Sequence, residues 1–400
     1  MDAARDAKDD QALLAISKDM DELGFSFRTV ANGVYHFVDK DGFHYCVYGG
    51  VNILKSTDNN EAKSPMEVVK SVNITEKLPA ELAKSVNRIV GAGMTYDGNI
   101  AVAAPGMVAL LSRDLEMLDY ITFPGEFVDN SIAIDESGIY VVTSVHMIKL
   151  VWNGEKLSYD EADGGWKSKY NTIDAATALK MGAASRGAGT TPALMGYGDD
   201  EDQLVLISDA DANGTNLVAF WRNEIPADFK QIPGTKSRRI AGQIRFELSK
   251  LTAEASAVVK GYGAILANST FPEPSETLGD VFGNIFTAGI TRPAPMGLQK
   301  FQWDPVANEF SVAWTNKTID NTDWMVPVVT ANDILYLPSK EGLSYTYDAF
   351  DWHTGEKIMS WKMPTSSSFY NTALGIGYFL EDGDLIFAGF FNTKRVNFKK

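Results

Sequence analysis

The sequence predicts an all-β chain folded as a single β-propeller of about seven four-stranded blades, with an N-terminal helix in front of it. Two observations carry this. First, a turn-and-tryptophan spacing recurs. Asp351 opens a turn, Thr354-Gly355 closes it, and a strand runs on to Trp361; Asp304 to Trp314 has the same ten-residue offset, with Ala307-Asn308 in the Thr-Gly slot. Second, short apolar strands separated by tight turns follow one another along most of the chain. Six or eight blades are the neighbouring counts, and a β-sandwich would need fewer, shorter strands than this chain offers.

The spacing follows from turn chemistry. Asp bonds its own backbone two residues on, and Gly or Asn accepts the left-handed conformation that other residues resist. A Trp at fixed distance then supplies a large apolar contact. The fragment Gly154-Glu155-Lys156-Leu157 recurs beside Gly355-Glu356-Lys357-Ile358.

Taken in order, residues 1–29 form an extension and residues 30–400 the propeller. Residues 1–10 are polar and read as frayed. Leu13, Ile16, Met20 and Leu23 fall at helical spacing, which predicts one amphipathic helix packed on the outside of the domain. Residues 35–48 read as a hairpin turned by Asp39-Lys40-Asp41-Gly42, expected to close the ring against the last unit. Residues 56–87 are polar and read as a long excursion. Strand–turn–strand units then begin near Met94, Ile132, Ala193, Ala257, Val326 and Leu374, giving seven with the first hairpin. Two stretches rich in Gly, Thr, Ser and Pro, 160–190 and 269–298, interrupt them and are expected to cover one mouth of the central channel.

Composition narrows function. Hydrophobic residues make up 45% of the 400, and the formal net charge is −16. Such acidity excludes a nucleic-acid backbone as partner and disfavours an anionic membrane surface. No apolar run is long enough to insert into a membrane. Cys46 is the only cysteine, so no intramolecular disulfide can form.

Ala349, Asp351, Thr354, Gly355 and Trp361 match the pattern Ala-x-Asp-x-x-Thr-Gly-x-x-x-x-Trp, and the chain thereby resembles the quinoprotein-like β-propellers. The resemblance implies fold more than activity. It implies an exported protein, periplasmic or extracellular, read here as a mature form, with a cytoplasmic location as the alternative. Met1 to Asp6 lacks the regions of a secretory signal. Quinoprotein dehydrogenases carry adjacent cysteines, which this chain lacks, so pyrroloquinoline quinone is not expected.

The candidate site comes from residues that precede the first strand of several units. Asn130, Thr190, Thr191, Glu254 and Asn371 all hold such positions, and in a propeller those positions meet at one channel mouth. Glu254 is the acid–base candidate; Arg186, from the 160–190 stretch, would pair with an anionic group, and His146 near a strand end is a third catalytic candidate. Asn130, Thr190, Thr191 and Asn371 would orient a polar ligand. Asp209, Asp211 and Asn213 match the opening of a calcium loop with Gly214 at its sixth position, but Phe220 stands where the bidentate Glu belongs, so calcium competes with a plain Asx turn. The expected function is small-molecule binding at the channel mouth, with non-redox hydrolase, lyase or isomerase chemistry as the enzymatic form. The alternative is a protein-binding scaffold like the propellers of outer-membrane assembly machinery.

Overall fold

The computed structural model describes residues 1–22, 35–174, 188, 190–211, 213–248, 256–273, 281–320, 328–372, 377–389 and 392–397. Seven antiparallel sheets follow one another along the chain. Blade 1 is β1 (His36–Val38), β2 (His44–Tyr48), β3 (Asn52–Thr57) and β4 (Glu67–Asn73), and blade 2 is β5 (Gly91–Met94), β6 (Ile100–Ala104), β7 (Met107–Leu111) and β8 (Met117–Thr122). Blade 3 is β9 (Ala133–Asp135), β10 (Gly138–Val142) and β11 (His146–Trp152), with an outer position split between β12 (Leu157–Ser158) and β13 (Trp166–Lys169), both paired to β11. Blade 4 is β14 (Ala193–Met195), β15 (Leu204–Asp211), β16 (Gly214–Trp221) and β17 (Ile240–Arg245). Blade 5 is β18 (Val258–Lys260), β19 (Gly263–Ala267), β20 (Met296–Asp304) and β21 (Glu309–Asp320). Blade 6 is β22 (Val328–Val329), β23 (Ile334–Glu341), β24 (Ser344–Asp351) and β25 (Lys357–Lys362); blade 7 has three described strands, β26 (Gly377–Phe379), β27 (Leu385–Gly389) and β28 (Asn392–Val396). This is a seven-bladed β-propeller.

Strand alternation divides each blade's side chains between two neighbours. Val102 of β6 joins the core shared with blade 1, beside Tyr45 and Ile53, whereas Ala101 and Ala103 join the core shared with blade 3, beside Val141 and Ile148. That two-sided burial is why Ile-Ala-Val-Ala-Ala is buried throughout. Similar cores lie between blades 3 and 4, 4 and 5, 5 and 6, and 6 and 7.

Polar ties add register between neighbours. Asp39 in the first turn of blade 1 accepts from Arg113 Nε of blade 2 at 2.8 Å, and Asp202 of blade 4 accepts from Trp303 Nε1 of blade 5 at 2.7 Å. Asp135 of blade 3 pairs with Arg222 of blade 4 at 3.2 Å.

The predicted turn is present in two blades. Asp351 Oδ1 accepts from His353 N and Thr354 N at 2.9 and 2.8 Å, and Gly355 takes a φ of +71°. Asp304 Oδ1 accepts from Val306 N and Ala307 N, and Asn308 takes a φ of +54°. Blade 3 has a shorter turn: Asn153 Oδ1 accepts from Glu155 N and Lys156 N, and the left-handed residue, Gly154 at a φ of +94°, follows Asn153 directly.

Several sequence expectations need correction. Residues 1–10 are not frayed: α1 (Asp2–Ala7) precedes α2 (Asp10–Glu22). The stretch 56–87 contains β4 and α3 (Ala80–Ser85) and so completes blade 1. The hairpin 35–48 belongs to blade 1's own sheet, and among the described residues none of its strands pairs with blade 7.

Because the strands run inner to outer and alternate in direction, connections between blades emerge on the same face as each second-to-third-strand connection. The 160–190 and 269–298 stretches both reach that face, the second through α4 (Val281–Thr287). The N-terminal helices dock there too. Ala4 and Leu13 pack on Phe286 and Ile290, Asp10 accepts from Arg292 Nε at 2.7 Å, and Asp2 accepts from Ser367 Oγ at 2.8 Å and Ser368 N at 2.6 Å.

Candidate functional site

The face carrying the inter-blade connections brings predicted residues together. Thr191 Oγ1 donates to Asn130 Oδ1 at 3.0 Å, and the Thr191 backbone N–H donates to Ser256 Oγ at 3.0 Å. Three residues preceding the inner strands of blades 3, 4 and 5 are thus joined. Beside them Thr190 is 1% exposed, and its hydroxyl has no partner among the described residues. A buried hydroxyl left so costs about 1–3 kcal/mol and marks a place for water or ligand.

On the same face lies a group the sequence shows only in part. The turn between β10 and β11 ends at His146, and the connection from blade 2 to blade 3 supplies Glu126. Glu126 accepts from His146 Nδ1 at 2.9 Å, from Lys167 Nζ at 2.8 Å, and from Thr143 Oγ1. Burial works against the Glu126 carboxylate, but the bonds from Lys167, Thr143 and His146 outweigh it and hold its pKa below the usual range. An ionised carboxylate only accepts, so Nδ1 is the donor in this pair and Nε2 is left outside it. A base oriented by a carboxylate is the arrangement acid–base catalysis uses. Glu126 escaped the sequence reading because it lies in a connection without periodicity, twenty residues before its partner.

A hydrogen-bonded path continues into blade 4. Tyr170 donates to the Thr143 carbonyl, and the next residue, Asn171, donates through Nδ2 to Asp209 Oδ2 at 3.0 Å. Asp209 is fully buried, and Asn216 Nδ2 bonds its other oxygen at 2.6 Å. Burial pushes its pKa up to about 6, against those amide bonds. Asp211 is paired with Arg245 at 3.0 Å, and Asn213 gives its backbone N–H to Asp211 Oδ1 at 2.7 Å. Among the described residues no trio of His, Cys, Asp or Glu stands at ligating separation.

Asn371 is 2% exposed and sits before blade 7, on the far side of the ring from the Asn130–Thr191 pair. Glu254 and Arg186 lie outside the described residues. Cys46 is half-buried on β2. Among the described residues no helix is long and apolar enough to cross a membrane.

No family model matches the chain. An uncharacterised protein of Archaeoglobus fulgidus is 33% identical over 312 residues, covering 72% of this chain and 57% of that protein. The chain thus spans little more than half the length of that relative. Among solved structures, Kuenenia stuttgartiensis hydrazine synthase superposes with a TM-score of 0.51 at 10% identity, covering 92% of this chain and 96% of that one. Quinohemoprotein alcohol dehydrogenase from Comamonas testosteroni superposes with a TM-score of 0.50 at 12% identity, covering 86% and 61%. At such identities the likeness is one of fold: this chain is a seven-bladed β-propeller.

Proposed function

We propose that the chain binds a small polar molecule on the face carrying the inter-blade connections, and that His146, oriented by Glu126, serves there as a general acid–base group. The observation that carries this reading is the Glu126–His146 bond, which orients the ring through Nδ1 and leaves Nε2 outside that bond. The Asn130–Thr191–Ser256 bridge and the orphaned Thr190 hydroxyl supply the polar surroundings a ligand needs. Glu254, just before Ser256 in the chain, and Arg186, just before Thr190, belong to the proposal by sequence position. Hydrolysis, elimination or isomerisation fits a site built from proton-transfer groups.

The test is a thermal-shift screen of polyols, hydroxy acids, lactones and amines on the wild type, His146→Gln and Thr191→Val. At least one compound should raise the wild-type Tm and lose that effect in Thr191→Val. If the compound is turned over, Glu126→Gln should lower kcat about 10²–10⁴-fold with little change in binding. Compounds that stabilise all three proteins equally, or none that stabilises the wild type, would overturn the reading.

One observation favours a second reading, a protein-binding scaffold. The outer strand β4 of blade 1 and its approach expose Met66, Val68 and Val69 at 54%, 63% and 53%, an apolar edge that could take up a partner's strand. Loss of a co-purifying protein on Val68→Lys, with the ligand screen empty, would select it.

A further inference from the structure

Lys394 occupies a position the strand pattern gives to an apolar side chain. Val396, two residues on and on the same face of β28, packs into the core between blades 6 and 7, and the residue directly opposite Lys394 is Phe387 of that core. Lys394 is 8% exposed, and among the described residues its Nζ has no hydrogen-bond acceptor. It lies over aromatic rings instead, 5.0 Å from the centroid of Phe387, 5.1 Å from Phe369 and 6.0 Å from Tyr370. Ring faces return about 0.5–2 kcal/mol each, whereas stripping water from an ammonium costs several kcal/mol. Among the described residues the group is short of an anion.

Its surroundings indicate which anion. Lys394 Nζ and the Asn371 carbonyl both stand against the bare Cα of Gly389, where a Cβ would come within 3.4 Å of the first and 2.3 Å of the second. The hydroxyl of Thr372, next in the chain, is 3% exposed and also without a partner among the described residues. Phe369, one of the rings against the ammonium, is itself 51% exposed. We propose that Lys394, with Asn371 and the Thr372 hydroxyl beside it, anchors a subsite for a small aromatic carboxylate. The ammonium and hydroxyl hold the carboxylate, and the rings take the aromatic part. Burial pulls the Lys394 pKa down to about 8, which leaves the amine protonated at neutral pH and able to pair. This subsite is in blade 7 and does not depend on the Glu126–His146 reading.

Calorimetric titration with benzoate, and with benzyl alcohol as the neutral counterpart, tests the assignment. The wild type should bind benzoate and not benzyl alcohol. Lys394→Met should weaken benzoate roughly thirtyfold or more, the loss expected when a buried charge partner is removed, while Lys394→Arg retains measurable binding. No benzoate binding by the wild type, or equal affinity in Lys394→Met, overturns it. Should Lys394→Met fail to fold, the wild type decides alone. Bound carboxylate must raise the Lys394 pKa, read by NMR of [15N]lysine-labelled protein, and an unmoved pKa overturns the proposal.

Discussion

Asp209 shows how one carboxylate sets a pH dependence for the whole chain. Its folded pKa of about 6 lies above the ordinary 3.8 because burial penalises the charge more than Asn171 and Asn216 compensate. Between those two values the folded state holds a proton that the unfolded state has lost, so stability falls as pH rises from about 4 to 6 and stays lower above that. A shift of this size is worth on the order of 1–3 kcal/mol. Asp209→Asn removes the titration but gives up an acceptor facing the Asn171 backbone N–H, at a cost near 1 kcal/mol. Urea unfolding at pH 4 and pH 7 should therefore show the variant gaining on the wild type across the interval by on the order of 1–3 kcal/mol, the part of the pH dependence that belongs to Asp209. Equal slopes would mean that Asp209 is ionised throughout.

At the scale of elements, the turn between third and fourth strands was the legible part of this chain, because its geometry is encoded locally. The Asp side chain caps the turn and the left-handed residue closes it, whatever the neighbouring blades do. Gly355 and Gly154, both left-handed, separate backbone strain from side-chain crowding. An added Cβ at Gly355 would come within 2.6 Å of the Trp314 ring, while at Gly154 it would meet nothing within 4 Å. Gly154→Ala should cost about 1–2 kcal/mol from backbone alone, and Gly355→Ala about 2–4 kcal/mol, the difference measuring the Trp314 contact by urea midpoints. Equal costs would show that Trp314 moves aside freely. Other elements were illegible for the opposite reason. β4 carries no apolar alternation because its exposed face needs none, and β13 is identified as a strand only by pairing with β11. The site divided likewise. Asn130 and Thr191 could be found from their common place before inner strands, and His146 from its strand end. Glu126 and the aromatic surroundings of Lys394 depend on neighbours that only the closed ring brings near.

At the scale of the molecule, stability is distributed over cores between consecutive blades, and the N-terminal helices contribute to none of the six described. Ala4 and Leu13 form a separate cluster with Phe286 and Ile290, reinforced by Asp2 at Ser367 and Ser368 and by Asp10 at Arg292. Removing residues 1–22 should therefore leave the propeller folded but uncover Phe286 and Ile290, which are 1% and 5% exposed when the helices are docked. Lost burial of Leu13, Phe286 and Ile290 amounts to about 3–6 kcal/mol as an upper figure. The shortened chain should keep the wild-type far-UV circular dichroism of its strands, melt in one transition at a lower Tm, and bind an apolar dye more strongly than the full chain. A strand signal lost at room temperature would show instead that the helices hold the ring together, and an unchanged Tm would show that their docking contributes nothing to it.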